Sequence, residues 1–441
     1  MKITGYEQRW HQARLNLREG IFVKSSSTFF ARFWFIPAVL VAAVLVGVTW
    51  GNYRFAQQNP GGNDFLVHWV GTRALLMEGT SPYSDEVAER IQTLAYGHPA
   101  RAGEHELRVA YPLYSQIFFL PFALIADYTL ARALWMTALQ AGLILLAVYS
   151  LRLTDWHPGI WLLPIYFLFA VFWYHGLRPM INGNAVIFVA VLLAGALLAL
   201  RSGRDELAGI LLAFSTVKPQ VVVVPVVFVL VWTLSHRRWR VLAWLAITLV
   251  LLSASVALIV PDWPLQNLRE VLRYPEYNPP GTPGAVFAEW WPGIGARLGW
   301  GLAAVLGVIL LLEWKAARGR DFRWFLWTAS LTLVISQWIG IQTDPGNFVV
   351  LFVPLVLVFA VWEERWGPRG RWVILGIMLA LFAGLWALFI RTVADVGQPL
   401  QHPILFFPLP LFLLIGLYWV RWWAIRPSRL LVEALRAYDE L

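Results

Sequence analysis

The chain alternates long apolar runs with short, mostly basic connections. Residues 33–50, 130–151, 184–200 and 372–391 are nearly free of charge. Apolar runs of about 18 or more residues read as membrane-spanning helices. Runs of the same character fall near 159–175, 206–217, 219–234, 241–260, 294–314, 324–341, 347–362 and 404–422. The pattern predicts an all-α polytopic membrane protein, one integral domain over 1–441 with about twelve transmembrane helices. Residues 111–126 are apolar too, but the run is short and contains Pro112 and Pro121. It reads as re-entrant or interfacial. The helices 206–217 and 219–234 are short and turn back at Lys218-Pro219.

Two long polar segments interrupt the apolar pattern. The first outer loop, 51–129, has helical patterns near 63–78 and 84–96, so juxtamembrane helices are expected there. Asn63 reads as the N-cap of the first, and Gly79 with Pro82 ends it. The second outer loop, 261–293, is rich in Pro, Gly and aromatics, including Pro275, Pro279, Pro280, Pro283, Trp290 and Trp291. Residues 1–32 are polar and basic. Tyr6, Trp10, Ala13, Leu17 and Ile21 follow helical spacing, with Arg9, Arg14 and Arg18 between them. That fits a basic amphipathic helix on an anionic leaflet, and equally a poorly ordered tail. The first apolar run ends in Thr49, Trp50 and Gly51 without a small-residue cleavage pattern, so no cleavable signal peptide is expected.

Composition agrees with the pattern. Of 441 residues, 59% are hydrophobic and 14% charged, and mean hydropathy is +0.61; soluble domains carry about a quarter charged residues. The net charge of +9 could mark a nucleic-acid partner, but its placement explains it better. If 111–126 does not cross, the basic loops at 152, 201–204, 237–240, 315–323, 365–371 and 426–429 all fall on one side. Insertion favours that side as the cytoplasm, so both termini, including the segment 1–32, are expected inside. No nucleic acid is expected as a partner. There are no cysteines, which excludes disulfides, thiolate metal sites and a Cys nucleophile. No phosphate-binding Gly-rich loop, Ser nucleophile elbow or paired-His metal pattern is visible. Glu104-His105-Glu106 is a weak exception. Neither a metal nor a cofactor is expected.

A few polar residues stand out. Asp64 lies just after the first span at a helix start, with His68 four residues on, on the same helix face. A carboxylate there can take a proton from an acceptor hydroxyl; an ordinary helix-start Asp also fits. Lys218 is one of four lysines and the only one inside an apolar stretch. Ionisable groups at membrane depth tend to be functional, and a cation there can hold a lipid phosphate or snorkel to an interface. Arg178, Asn182 and Asn184 fall in an outer turn that can bind sugar or phosphate or cap helix ends. Gln342, Asp344 and Asn347 form a similar turn with the same two readings. The aromatics of 274–291 can stack on sugar rings or belong to the interfacial belt.

The order of these features resembles glycosyltransferase family 87, within the C-type superfamily of polyprenyl-phosphate-sugar-dependent transferases. The residues that carry it are Asp64-Phe65, Gly79-Thr80-Ser81-Pro82-Tyr83, Tyr111-Pro112 with Pro121-Phe122, Asn182-Gly183-Asn184, and Ala208-Gly209 followed by Lys218-Pro219. Ile181-Asn182-Gly183-Asn184 stands where Gly-Gln-x-Asn is usual, and Asn347-Phe348 where His-Tyr is frequent. The resemblance implies the C-type fold in a bacterial plasma membrane with its active site on the outer face. It implies metal-independent, inverting transfer of a sugar, mannose as the first expectation, from a polyprenyl-phosphate donor to a lipid-linked or glycan acceptor. Asp64 would be the base, and Lys218 and Arg178 would face the donor phosphate. His68, Tyr111, Asn182, Asn184, Asp344 and Asn347 complete the candidate substrate site. The rival class is a carrier or flippase for an amphipathic or lipid-linked substrate. A repeat relating the two halves would favour it, and none is visible.

Overall fold

The structure, a computed structural model, describes residues 27–278, 281–339, 343–393 and 401–426. The basic pattern at 6–21, Pro279, Pro280, Gln342 and Arg429 lie outside the described residues. Every apolar run is helical, and the described residues contain no strand. This is what lipid imposes, because a helix satisfies its backbone polar groups within its own segment.

The first described helix, α1, covers Ser27–Gln58. A connecting segment follows with α2 (Asn63–Arg73), α3 (Asp85–Tyr96) and α4 (Gln116–Ala123). Then come α5 (Tyr128–Thr154), α6 (Leu162–Phe172), α7 (Tyr174–Asn182), α8 (Val186–Arg201), α9 (Asp205–Ser215), α10 (Pro219–Ser235) and α11 (Trp239–Ala257). A second connecting segment holds α12 (Trp263–Tyr277) and α13 (Pro283–Trp290). The described helices end with α14 (Gly295–Ala317), α15 (Phe322–Ser336), α16 (Phe352–Trp366), α17 (Pro368–Thr392) and α18 (Pro408–Ala424). Among the described residues, seven segments are long and apolar enough to cross a membrane alone. The remaining apolar helices, such as α8, α10 and α15, are shorter.

The centre is α16. It is apolar on all sides over Phe352–Trp362 and buried throughout that stretch, as a helix surrounded by other helices must be. α5, α15, α17 and α18 pack around it. α9 lies closely against α11. A Cβ on Gly209 would sit 2.8 Å from the Leu245 backbone nitrogen and 2.9 Å from Trp244 Cβ. The small residue at 209 therefore lets two helix backbones approach, a common device between membrane helices.

Local details differ from the sequence reading in four places. The N-cap of α2 is Gly62 (φ 77°), not Asn63. The Gly61-Gly62 turn lets the Gly62 carbonyl accept the N–H groups of Phe65 and Leu66, both at 2.9 Å, so the helix starts one residue earlier. Arg178 and Asn182 belong to a helix, α7, rather than to a turn. The expected span 159–175 breaks at Trp173, which is extended (ψ 159°) and fully buried. The second connecting segment is largely helical: Pro264 and Pro283 stand in the first turns of α12 and α13, where a missing N–H costs nothing. Residues 111–126 form one 3₁₀ turn and the eight-residue α4. At 1.5 Å per residue α4 is about 12 Å long, well short of the hydrocarbon core.

Contacts gather the basic connections at one end of the bundle. Arg201 pairs with Asp155, Arg238 with Asp205, Arg323 with Glu364 and Arg371 with Glu363. Trp156 Nε1 donates to Glu363 at 2.8 Å, and Trp232 Nε1 to the Arg320 carbonyl at 3.3 Å. Both connecting segments lie at the opposite end. Because the chain has no cysteine, single cysteines report sidedness cleanly. Ser202→Cys and Glu89→Cys, both at exposed positions, should differ: one and only one should react with an impermeant maleimide in intact cells. Equal labelling of the two would contradict the arrangement.

Candidate active site

The end opposite the basic loops brings separate parts of the chain together. Asp64 is the second residue of α2, and its neighbour Phe65 fixes the first turn. Phe65 is fully buried and stacks on Trp135 at 5.4 Å and on Tyr128 at 5.9 Å. The Tyr128 hydroxyl donates to the Gly61 carbonyl at 2.8 Å. Across from Phe65 lies Gly183, the left-handed C-cap of α7 (φ 77°). A Cβ there would overlap Phe65, and the Gly183 carbonyl accepts the Trp135 indole N–H at 2.8 Å. So the Asn182-Gly183-Asn184 corner is pressed against the start of α2. Asn182 sits beside the Asp64 carboxylate as its hydrogen-bonding neighbour.

Asn184 links the corner to Lys218. Its Oδ1 accepts the Val186 backbone N–H at 2.9 Å and the Lys218 ammonium, also at 2.9 Å. Lys218 occupies the break between α9 and α10, with Pro219 opening α10. It is 4% exposed, and its Nζ lies 5.4 Å from the Tyr111 ring centroid. Among the described residues no carboxylate pairs with it directly, although Asp64 and Asp344 both act on it electrostatically. α9 has 11 residues, about 16 Å of helix, so Lys218 is recessed into the bundle.

Asp64 therefore faces opposing influences. Burial pushes its carboxyl above the usual carboxylate range. The charge of Lys218 pulls it down, Asp344 pushes it up, and Arg178 and Asn182 pull it down. Its surface is partly exposed, yet the surrounding protein is dense enough for desolvation to prevail. His68, one turn on, is buried between Tyr111 (4.3 Å between centroids) and Phe119 (4.4 Å). Burial, then the Lys218 charge, lowers its pKa to about 3, so the ring is neutral. Arg178 lies on α7 with its guanidinium 5.8 Å from the Phe389 ring centroid.

Asp344 joins from the far side of the sequence. It caps the 3₁₀ turn Pro345–Leu351 by accepting the Gly346 N–H at 2.6 Å. Gln401 Nε2 donates to both its oxygens at 3.1 Å, and the Tyr174 hydroxyl donates to Gln401 Oε1 at 2.6 Å. Asn347 points elsewhere: its amide donates to Thr343 Oγ1 at 3.0 Å inside a buried network with Gln337. Tyr274 of α12 also enters the electrostatic neighbourhood of Asp64 and Asp344. His105 accepts the Leu107 N–H at 2.9 Å, and among the described residues no three His, Cys, Asp or Glu side chains gather as metal ligands. Tyr274 belonged to an aromatic stretch visible in the sequence; Gln401 and Tyr174 carried no signal there.

The model for glycosyltransferase family 87 matches residues 110–337, more than half of the chain. The chain belongs to glycosyltransferase family 87. It is thus a membrane glycosyltransferase. A comparison with curated proteins finds no match, and neither does one with solved structures. Within the matched stretch lie Tyr111, Arg178, Asn182, Asn184, Lys218 and Tyr274. Asp64 and His68 precede it, and Asp344 and Asn347 follow it, so the fold is what unites the glycosyltransferase's acidic and basic groups.

The corner at Gly183 gives a direct test of this assembly. Gly183→Ala combines a left-handed backbone with an overlap on Phe65, each worth about 1–3 kcal/mol. The expected result is a clear fall in melting temperature of the purified protein in detergent; an unchanged melting temperature would show that the corner is not packed as described.

Proposed function

We propose that this family 87 enzyme transfers a sugar, mannose first, from a polyprenyl-phosphate donor to a lipid-linked or glycan acceptor. In this reading the membrane is the bacterial plasma membrane, the reaction takes place at its outer face, and the anomeric configuration inverts. What supports the reading is that Asp64 lies within electrostatic reach of two cations, Lys218 and Arg178, and of a second carboxylate, Asp344. Displacement at an anomeric carbon needs a proton acceptor for the incoming hydroxyl and positive charge for the departing phosphate. The recessed position of Lys218 suits a donor whose phosphate enters from the lipid. Sidedness follows from the opposite end: its basic loops favour the cytoplasm, which turns the site outward and both termini inward.

The steps follow from the groups present. Asp64 accepts the proton of the acceptor hydroxyl as its oxygen attacks C1 from the face opposite the phosphate. The C1–O bond to phosphate breaks, and the electron pair leaves with the polyprenyl phosphate. Lys218, oriented by Asn184, and Arg178 balance the charge that grows on the leaving oxygen. Asn182 is suited to exchange hydrogen bonds with sugar or acceptor hydroxyls and the ordered Asp344 to accept them, with Tyr111 and the neutral His68 as an aromatic wall.

Asp64→Asn keeps the shape and removes the basicity. Turnover should fall about 10²–10⁴-fold, with donor binding nearly intact. Full activity with a mannosyl polyprenyl-phosphate donor would remove Asp64 from the role of base. In the wild type, turnover should drop as pH falls, because the base must be ionised. The midpoint should lie above the ordinary aspartate range, since burial raises this carboxyl. Lys218→Gln should weaken donor binding about ten- to a hundredfold, the value of a charge-assisted hydrogen bond, and leave acceptor binding nearly unchanged. An equal loss for both would separate Lys218 from the donor phosphate.

A further inference from the structure

We propose that α12 is seated in the membrane leaflet at the site end, with one face among the acyl chains and the other forming a wall of the site. The sequence places this stretch in an outer loop, and nothing in the transfer reading requires it to touch lipid. The inference stands independently of that reading.

The two faces of α12 differ sharply. Leu265, Leu268 and Leu272, at helical spacing, are 61%, 52% and 69% exposed. Polar residues on the opposite face are spent on the first connecting segment. Gln266 accepts from the Ser81 hydroxyl, and Asn267 Nδ2 donates to the Ala110 carbonyl at 2.9 Å. Arg108 Nε donates to the buried Glu270 at 2.7 Å, and Arg273 pairs with Glu106 at 2.9 Å. The same inward face carries Tyr274 towards Asp64 and Asp344.

An exposed leucine stripe in water would be costly, at about 25 cal/mol per Å² of apolar surface. Here the stripe continues a surface that already faces lipid. α11, directly before it, exposes Val250 and Leu251, and the link between the helices exposes Leu258 and Ile259. Trp263 Nε1 donates back to the Ser253 carbonyl at 3.3 Å, so α12 folds away from α11 at the level where that span ends. A span end followed at once by a helix apolar on one face and polar on the other is the arrangement of an interfacial helix, buried about 5–10 Å into the headgroup and acyl boundary. Arg269 and Glu276 are exposed at the flanks of the stripe, where long side chains reach the headgroups. The partner is therefore the lipid surface itself, and its chemistry is acyl chain rather than a specific headgroup.

The test uses the full-length, cysteine-free chain in phospholipid vesicles, with a fluorescent label on Leu268→Cys, a mild change at an exposed position. The expected result is strong quenching by phospholipid carrying a nitroxide near the top of its acyl chain and weak quenching by aqueous iodide. Glu89→Cys, exposed on α3, should show the reverse. Iodide quenching of Leu268→Cys equal to that of Glu89→Cys would overturn the proposal, as would shielding from both quenchers accompanied by a label-to-label contact between two copies. Loss of transfer activity in the same variant bears on the site wall and not on the seat in lipid. The quenching result therefore stands whether or not the proposed donor is correct.

Discussion

The site depends on a cation held inside an apolar bundle. Removing an ammonium from water is expensive, several kcal/mol even after relaxation, and Lys218 is 4% exposed. The surroundings answer that cost in separate ways: the Asn184 oxygen accepts one of its protons, the Tyr111 ring lies beneath it, and two carboxylates act on it without a direct pair. Each comes from a different stretch of chain, so placing the lysine commits α2, the corner after α7, the Tyr111 turn and the Asp344 turn to one another. In the proposed reaction, a cation already matched by a direct carboxylate would have little left to offer an incoming phosphate. One that is buried and held by neutral groups keeps its field available at low dielectric.

Most of the fold was legible because lipid leaves few options. The apolar runs became helices, and the short run with Pro112 and Pro121 became the short α4 that cannot span. Errors occurred where polar residues mimic a turn. Arg178-Pro179 and Asn182-Gly183 look like loop chemistry, yet α7 runs through Pro179, and the real break falls at Trp173, whose extended backbone has no composition signal. α12 is hard to read from sequence because Pro264 and Pro275 lie within it and its apolar positions alternate with charged ones. In the site, Lys218 was readable because a lone lysine in an apolar stretch is anomalous. Asn184 was readable as a polar residue at an outer corner, though not as the partner of Lys218. Gln401 and Tyr174 were invisible, since their only distinction is a contact across 227 residues of separation.

The connecting segments are held together by polar matching. Arg108 and Glu270 form a pair whose side chains are both nearly buried, and Asp85 adds a second carboxylate to the same guanidinium at 2.7 Å. Such a pair adds little net stability, but leaving either charge alone would cost about 3–5 kcal/mol. The docking of α12 on the first segment is thus specified by polar matching, while its outward leucines are left for lipid. Tyr274 inherits its position from that docking.

The balance on Asp64 is the last link. A carboxylate between two cations alone would be strongly acidic and a poor proton acceptor, because basicity falls with pKa. Burial and Asp344 work against that. Asp344 is a fixed neighbour, because the Gly346 N–H and the amide of Gln401 both donate to it. The Gln401 amide is itself turned by Tyr174, whose hydroxyl donates to its oxygen and leaves the NH₂ group facing the carboxylate. In the proposed reaction, then, the cations that favour the departing phosphate and the second carboxylate that restores basicity are parts of one arrangement. Removing either would shift the other's effect on the base.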